Sequence, residues 1–403
     1  TLNDQGAGNQ TATITGTLTD SVTSDTTTNN IRIQAKANND ANRITEVNEN
    51  YSGASTAGVG NLSITKKVGG APVLFNARRY MGNATARDIN SLGFQPDLVW
   101  FKERGTSNYH ALIDSVRGGN KVIYSNATNA QISRLANQGY ITSFNSDGFS
   151  LDPDTSSNGI NTNNQPFISW AWKAGTSFTP TASNYTNPVG SKNTAGGFSI
   201  VKVTAGSSAA DASTVEHGLD QKPDFIIGKA LSGTYNWDVF HKDLTGGYTS
   251  TKRLNLNSDT GEINYYTGGW GVTNTQFNTG GTAWHGANGD VIYYCFHAVS
   301  GVSAFGSYTG NANNNSITSV GFQPKFLIIK RINSNSSWSM WDTFRSPTGD
   351  NMQPLYANGS SAEGSVDSTF TPTLTSNGFS FDSNVTHNSL NGSGQNYIYM
   401  AFA

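Results

Sequence analysis

Short runs of β-branched and aromatic residues, separated by Gly, Asn and Pro, fill most of the chain after residue 70. No segment shows the sustained 3.6-residue period, with capping residues, that indicates an amphipathic helix. The runs LVWF (98–101) and FLII (326–329) are apolar at consecutive positions, which is typical of central strands covered on both faces. The pattern therefore predicts antiparallel β-structure.

An internal repeat organises these strands. GFQPDLVWFK at 93–102 returns as GFQPKFLIIK at 321–330, and a weaker copy, QKPDFIIGK, stands at 221–229. Each copy closes on an aromatic strand: FISWAWKA at 167–174, VIYYCFHA at 291–298 and YIYMAFA at 397–403. The copies therefore predict three diverged modules, which differ by loop insertions.

The predicted fold class is all-β, with three tandem antiparallel β-sandwich modules of the jelly-roll or lectin-like kind behind a short β N-terminal segment. Several short strands in ~100 residues form two layers, because a single sheet would leave its apolar face in water. We place module one at 71–175, module two at 196–301 and module three at 302–403. Residues 176–195, rich in Thr, Ser, Asn and Gly, are predicted to be a linker.

Residues 1–70 contain three short alternating runs, ATITGTLTD, IRIQAKA and NLSITKK, within Asn- and Thr-rich turns. This segment has too little apolar mass to build a core by itself. We expect it to pair with a neighbouring chain or a larger assembly, as an attachment or stalk.

Composition narrows the possible partners. The formal net charge is -2 and no long Lys/Arg run occurs, which argues against a nucleic-acid partner. The sequence contains no stretch of ~18 uninterrupted apolar residues, so we expect no membrane insertion. The single cysteine, Cys295, excludes an intrachain disulfide framework and a multi-cysteine zinc site, and its apolar neighbours predict that it is buried.

Histidine positions do not predict a site shared by the modules. Counting along the repeat aligns His110 with Asp238 and Trp338, and His241 with Ile113, so no histidine recurs. The chain also lacks the nucleophile elbow, the HExxH motif, the Walker loop and paired zinc ligands. We therefore expect no enzymatic activity, with a two-carboxylate glycan depolymerase as the alternative.

One charged pair recurs between modules one and three. Asp114 with Arg117 returns as Asp342 with Arg345, whereas the same count places Lys242 and Thr245 in module two. We interpret the pairs as structural ion pairs that pin a loop. The alternative is a grip on a sugar hydroxyl or a carboxylate.

Two further groups are candidates for ligand binding. Asp152 and Asp154 have a spacing that calcium could use, although Asp-Pro turns are common for backbone reasons, and no other cofactor is predicted. The insertion GGWGVTNTQFNTGGTAWHGANGD in module two carries aromatic and polar residues that could bind a sugar if exposed: Trp270, Trp284, His285 and Asn288. The alternative is that both tryptophans fold back into the core.

Module one contains the segments GFQPDLVWFKERG, ALIDSVRGGNKVIYSNAT, ITSFNSDGFSL and NGINTNNQPFISWAWKAG. On these segments it resembles a domain family of uncharacterised function found in virion proteins of marine tailed bacteriophages, cyanophages among them. It is clear in module three at GFQP, Asp342, Arg345 and SNGFSFD, and weak in module two. It implies a β-sandwich on a tail fibre, spike or capsid appendage at the virion surface. The resemblance implies no catalytic residue in this chain.

The resemblance leads us to expect a virion structural protein that mediates attachment to host-surface glycans. Its expected partners are other virion proteins, bound through the N-terminal segment, and further copies of itself, a trimer by analogy with phage fibres. The alternatives are a purely structural filament or capsid-decoration protein and a polysaccharide-degrading spike. Because the repeated residues look like scaffold, we expect recognition in the loops that differ, above all those of module two.

Overall fold

The computed structural model describes residues 10–15, 46–50, 61–66, 73–156, 159–207, 213–266, 268–345, 353–364 and 368–403. The chain divides into two compact units, Thr1–Val73 and Leu74–Ala403. Within the described ranges, no helix has the length and apolar character needed to cross a membrane.

The N-terminal unit contains a three-stranded antiparallel sheet. Its strands are β1 (Gln10–Thr15), β2 (Glu46–Asn50) and β3 (Asn61–Lys66), in the order β1-β3-β2. Two of the predicted runs, ATITGTLTD and NLSITKK, overlap β1 and β3. β2 was not predicted because its sequence, EVNEN, has one apolar residue. The third predicted run, IRIQAKA, lies outside the described residues.

The second unit, which we call the body, is built from short strands in all three modules. Module one contains β4 (Phe75–Met81), β5 (Arg87–Ile89), β6 (Leu98–Glu103), β7 (His110–Asp114), β8 (Lys121–Tyr124), β9 (Ile132–Ser133), β10 (Ile141–Asn145), β11 (Gly148–Leu151) and β12 (Pro166–Trp172). The next strands are β13 (Thr176–Phe178), β14 (Tyr185–Asn193), β15 (Phe198–Ala205), β16 (Thr214–Glu216), β17 (Phe225–Ala230), β18 (Trp237–His241), β19 (Lys252–Asn255), β20 (Ile263–Asn264) and β21 (Gln276–Asn278), followed by helix α1 (Gly281–His285) and β22 (Asp290–Phe296). Module three contains β23 (Ser303–Thr309), β24 (Asn315–Ile317), β25 (Phe326–Arg331), β26 (Ser339–Asp342), β27 (Leu355–Tyr356), β28 (Thr373–Thr375), β29 (Gly378–Phe381) and β30 (Asn396–Phe402).

The same sheet occurs three times. The order β4-β12-β6-β7-β8 returns as β15-β22-β17-β18-β19 and as β23-β30-β25-β26-β27. A smaller antiparallel sheet accompanies each large one, in the orders β10-β11-β5, β16-β21 and β24-β29-β28. The prediction of an all-β, sandwich-type fold with antiparallel sheets is confirmed.

The predicted linker at 176–195 is wrong. Its residues form β13 and β14, which extend the large sheet of module two at the edge next to β15. Tyr185, in β14, is buried in a second hydrophobic cluster of module two, together with Val201, Phe240 and Tyr293. Those of the Thr, Ser and Asn residues that lie in β13 and β14 occupy strands with one solvated face, where polar residues are common.

The inner faces of the three large sheets share one hydrophobic core. Trp172, Phe296 and Phe402 each end the closing strand of a module, and their rings meet. The ring centroids lie 6.3 Å apart for Trp172 and Phe296, 5.7 Å for Trp172 and Phe402, and 5.9 Å for Phe296 and Phe402. Equivalent residues thus converge on one line, and the modules surround a pseudo-threefold axis.

Strand register places the chain termini of the body and the hairpins at opposite ends of this axis. Phe75 pairs with Trp172 at the end where the chain enters, while Met81 pairs with Pro166 at the other end. The loops that join β6 to β7, β17 to β18 and β25 to β26 lie at the Met81 end, which we call the hairpin end.

Strand pairing also corrects the alignment of module two by one residue. Leu98 pairs with Asp114 just as Phe225 pairs with His241 and Phe326 with Asp342. His241, rather than Lys242, is therefore the counterpart of Asp114, and His110 corresponds to Trp237 rather than Asp238. With this alignment, His241 corresponds to Asp114 and Asp342, and His110 corresponds to Trp237 and Trp338. Neither histidine therefore recurs in another module.

Candidate functional site

The two tryptophans of the module-two insertion are buried, so the prediction of an exposed stacking platform is wrong. Trp270 is 1 % exposed and Trp284 is 2 % exposed. Trp270 stacks on Tyr265 with 4.4 Å between ring centroids, and its Nε1 donates to the carbonyl oxygen of Lys252 at 2.9 Å. The alternative interpretation, that both tryptophans belong to the core, is correct.

Trp284 fills a gap in the outer face of the sheet. Its Nε1 donates to the Asn236 carbonyl at 3.1 Å, and its ring lies against Gly228, where a Cβ would approach Trp284 to 2.9 Å. His285 is buried beside it, with Nε2 2.9 Å from the Tyr185 hydroxyl. Asn288 is exposed and has a φ of 57° in the turn before β22. The structure therefore does not bring the four predicted residues together on a surface.

The recurring charged pairs connect neighbouring modules. Arg117 Nε donates to Asp114 Oδ2 at 2.5 Å, and the hydroxyl of Tyr294 in module two donates to the same oxygen at 2.7 Å. All three side chains are buried at this contact between modules one and two. Each ion pair thus forms part of a contact between modules.

The equivalent contacts close the ring of modules. Arg345 Nε lies 2.5 Å from Asp342 Oδ2, which also accepts from Trp170 Nε1 of module one at 3.2 Å. In the third contact, Nε2 of His241 lies 3.3 Å from the Tyr399 carbonyl oxygen of module three. Burial lowers the pKa of His241 to about 3, so this side chain is neutral.

Three buried lysines, which the sequence interpretation missed, also recur around the axis. They are the penultimate residues of the equivalent strands β6, β17 and β25, and all are fully buried: Lys102, Lys229 and Lys330. Each Nζ donates to a carbonyl of its own hairpin, at Asn108, Tyr235 and Ser336 respectively. Each also donates to an equivalent carbonyl in the next module, at Ser360 (3.1 Å), Thr128 (3.1 Å) and Asp259 (2.8 Å). The signal was visible in the sequence, since the repeated segments GFQPDLVWFK, QKPDFIIGK and GFQPKFLIIK all end in Lys.

Asp152 and Asp154 organise two loops of module one. Asp154 accepts hydrogen bonds from the Ser156 hydroxyl at 2.9 Å, the Gly159 amide at 2.9 Å and the Thr162 hydroxyl at 2.8 Å. Asp152 Oδ2 accepts from the Gln138 amide at 3.0 Å. Among the described residues, no group of three or more His, Cys, Asp or Glu side chains could hold a metal ion.

These two loops form one wall of a cleft on the outer face of module one, at the hairpin end. The cleft has a volume of about 330 Å³ with its open mouth included. Adjacent strands β12, β6, β7 and β8 provide its floor. Its lining consists of Phe101, Glu103, Asn108, Tyr109, Ala111, Val122, Tyr124, Arg134, Gly139, Gly159, Ile160 and Phe167.

An aromatic pair forms the rim of this cleft. Tyr109 is 51 % exposed, and its ring centroid lies 4.8 Å from that of Tyr124. Arg134 holds Tyr124 in place, since its Nη2 donates to the Tyr124 hydroxyl at 2.9 Å and its Nη1 to the Gln138 carbonyl at 3.1 Å. An exposed, supported aromatic ring of this kind presents an apolar face with a polar edge.

A buried carboxylate faces the cleft beside this rim. Glu103 is 4 % exposed; its Oε1 accepts from the Thr106 hydroxyl, and its Oε2 accepts from Asn108 Nδ2 at 2.9 Å. Since each carboxylate oxygen has two lone pairs, both oxygens keep acceptor capacity for a ligand. The cleft thus combines an oriented acceptor with an aromatic face.

The residues that characterise this cleft do not recur at the equivalent positions of modules two and three. By strand register, Glu103 corresponds to Ala230 and Arg331, and Tyr109 corresponds to Asn236 and Ser337. In module two, Trp284 fills the corresponding space over the sheet. Comparison of the repeats could have marked Glu103 and Tyr109 as unique, although nothing in the sequence indicated that they lie together.

Comparison with known proteins identifies a family. A domain of unknown function, DUF7483, matches residues 72–403. No curated protein and no solved structure is significantly similar to the chain. The matched region begins next to the body defined by contacts and covers all three modules. The chain therefore belongs to the DUF7483 family.

Proposed function

We propose that the protein is a virion-surface structural protein of a tailed bacteriophage, part of a tail fibre, spike or capsid appendage, and that it attaches to host-surface glycans through the module-one cleft. The observation that carries this proposal is the exposed Tyr109 ring beside the buried Glu103 carboxylate. Sugar rings offer an apolar face and a rim of hydroxyls, which match an aromatic face and a fixed acceptor.

The position of the cleft supports a role in attachment. It lies at the hairpin end of the body, whereas the chain enters from the N-terminal segment at the opposite end. The inner faces of the modules are already buried in the shared core, so the proposed homotrimer would use other surfaces of the chain.

A glycan array with the full chain tests the proposal. We expect binding to at least one glycan class, and a loss of about tenfold or more in Tyr109→Ala, because the stacking face is removed. Met81→Ala is a matched control, since Met81 is 53 % exposed at the same end of the same module and does not line the cleft. Equal loss in both variants, or binding that Tyr109→Ala leaves intact, would contradict the proposed site.

The same array separates the alternatives. A filament or decoration protein without a ligand would bind no glycan. A depolymerase would release reducing ends, and its two carboxylates would face each other about 5 to 9.5 Å apart. Glu103 is the one carboxylate among the described residues that line the cleft, which favours binding over hydrolysis.

A further inference from the structure

The floor of the module-one cleft contains a small apolar depression. Ala111 pairs with Phe101 on one side and with Tyr124 on the other, so a single methyl group lies between two aromatic side chains. Val122, Ile160 and Phe167 complete the apolar surroundings. The equivalent positions in modules two and three carry Asp238 and Ser339, which are polar and larger than alanine.

The enclosed part of the cleft has room for about one water molecule or one methyl group. A sugar ring is too large for this space and must remain at the rim, against Tyr109. The floor side chains Phe101, Ala111 and Val122 offer water no hydrogen-bond partner, although the lining as a whole mixes apolar and polar groups. The space therefore suits an apolar substituent of about one carbon atom.

Polar groups of the lining stand beside the depression. Glu103 supplies carboxylate oxygens that accept an N–H, while the Asn108 amide and the Arg134 guanidinium carry N–H donors. An acetamido group combines a methyl, an N–H donor and a carbonyl acceptor. A 6-deoxy sugar has the methyl without the N–H, and a free amino sugar has the N–H without the methyl.

We infer that the cleft selects an N-acetylated hexosamine, with the acetamido methyl on Ala111, the acetamido N–H donating to Glu103 and the sugar ring against Tyr109. This inference rests on the proposed function and names the sugar class that the site binds. One buried methyl and one hydrogen bond to a charged group together give roughly 50- to 600-fold selectivity over a sugar that lacks both.

Isothermal titration of the full chain tests this inference. The probes are the methyl glycosides of N-acetylglucosamine, N-acetylgalactosamine, glucosamine, glucose and rhamnose. We expect one of the two N-acetylated glycosides to bind at least tenfold more tightly than glucose, glucosamine and rhamnose. If glucose or rhamnose binds as tightly, the inference is overturned while the proposed function stands. If no glycoside binds and the glycan array is also negative, both fail.

Two variants locate the acetamido group. Ala111→Val fills the depression, and we expect it to reduce the preference for the N-acetylated glycoside to within about twofold of glucose. Glu103→Gln keeps the size of the side chain and weakens the acceptor, so it should lower the same preference without touching the floor. Thermal unfolding checks that both variants fold, with Met81→Ala as the control. Unchanged selectivity in two folded variants would overturn the inference.

Discussion

Lys102, Lys229 and Lys330 are buried with carbonyl oxygens as the partners of their ammonium groups. Burial lowers the pKa of Lys102 and Lys229 to about 8 and that of Lys330 to about 7, from 10.5. Uncharged side chains of the same shape would avoid the cost of desolvating a charge. The lysines join loops of two modules at once, which an apolar side chain does not do.

The lowered pKa values predict stability that increases at alkaline pH. From about pH 7 for Lys330, and from about pH 8 for Lys102 and Lys229, up to about 10.5, the unfolded chain binds more protons than the folded one. The free energy of unfolding therefore rises with pH by up to about 1.4 kcal/mol per pH unit for each lysine within its window. Urea denaturation at several pH values measures this slope. Lys330→Met should reduce it, while Lys325→Met, at an exposed position, should leave it unchanged. Equal slopes in all three proteins would show that Lys330 is not responsible.

Asp154 acts at the scale of the loops. Its carboxylate accepts hydrogen bonds from Ser156, Gly159 and Thr162, and so fixes the wall of the cleft. We expect Asp154→Ala to lower the free energy of unfolding by about 2 to 3 kcal/mol, because several donors lose a charged acceptor. It should also weaken glycan binding, since Gly139 and Gly159 line the cleft.

Denaturation and titration measure the two effects, with the exposed Asp88→Ala as the control.

Addition of calcium distinguishes a structural role of Asp152 and Asp154 from metal binding. If Asp152 and Asp154 bound calcium instead, millimolar calcium would raise the unfolding midpoint of the wild-type protein and leave that of Asp154→Ala unchanged. We expect no shift in either protein.

The sequence predicted the elements better than their surroundings. The strand type, the repeat and the ion pairs follow from local patterns, and the structure contains all of them. The burial of Trp284 could not be predicted from the local sequence. It depends on Gly228, which lies in another part of the chain and leaves the space that the indole fills. The cleft was missed for the same reason, since Glu103, Ala111 and Tyr124 meet only through the register of three strands.

At the scale of the whole molecule, the three modules depend on one another. The inner face of module three presents Phe326, Trp338 and Phe402 to the shared core, and Trp338 Nε1 donates to the Asn255 carbonyl of module two at 2.9 Å. A separated module would expose this face to water. The tandem arrangement expected from the repeat therefore becomes a single closed body rather than independent domains on a string.

This closure predicts that the body unfolds in one transition. Calorimetry of the full chain should give one main peak whose calorimetric and van't Hoff enthalpies agree for residues 74–403. Trp172→Ala should lower the stability of all three modules together, by about 3 to 5 kcal/mol, because its ring contacts both Phe296 and Phe402. A fragment of residues 302–403 should lack the near-ultraviolet circular dichroism of packed aromatic residues. Cooperative unfolding of that fragment, or separate transitions in the full chain, would mean that the modules are stable independently and that the shared core is a docking contact between them.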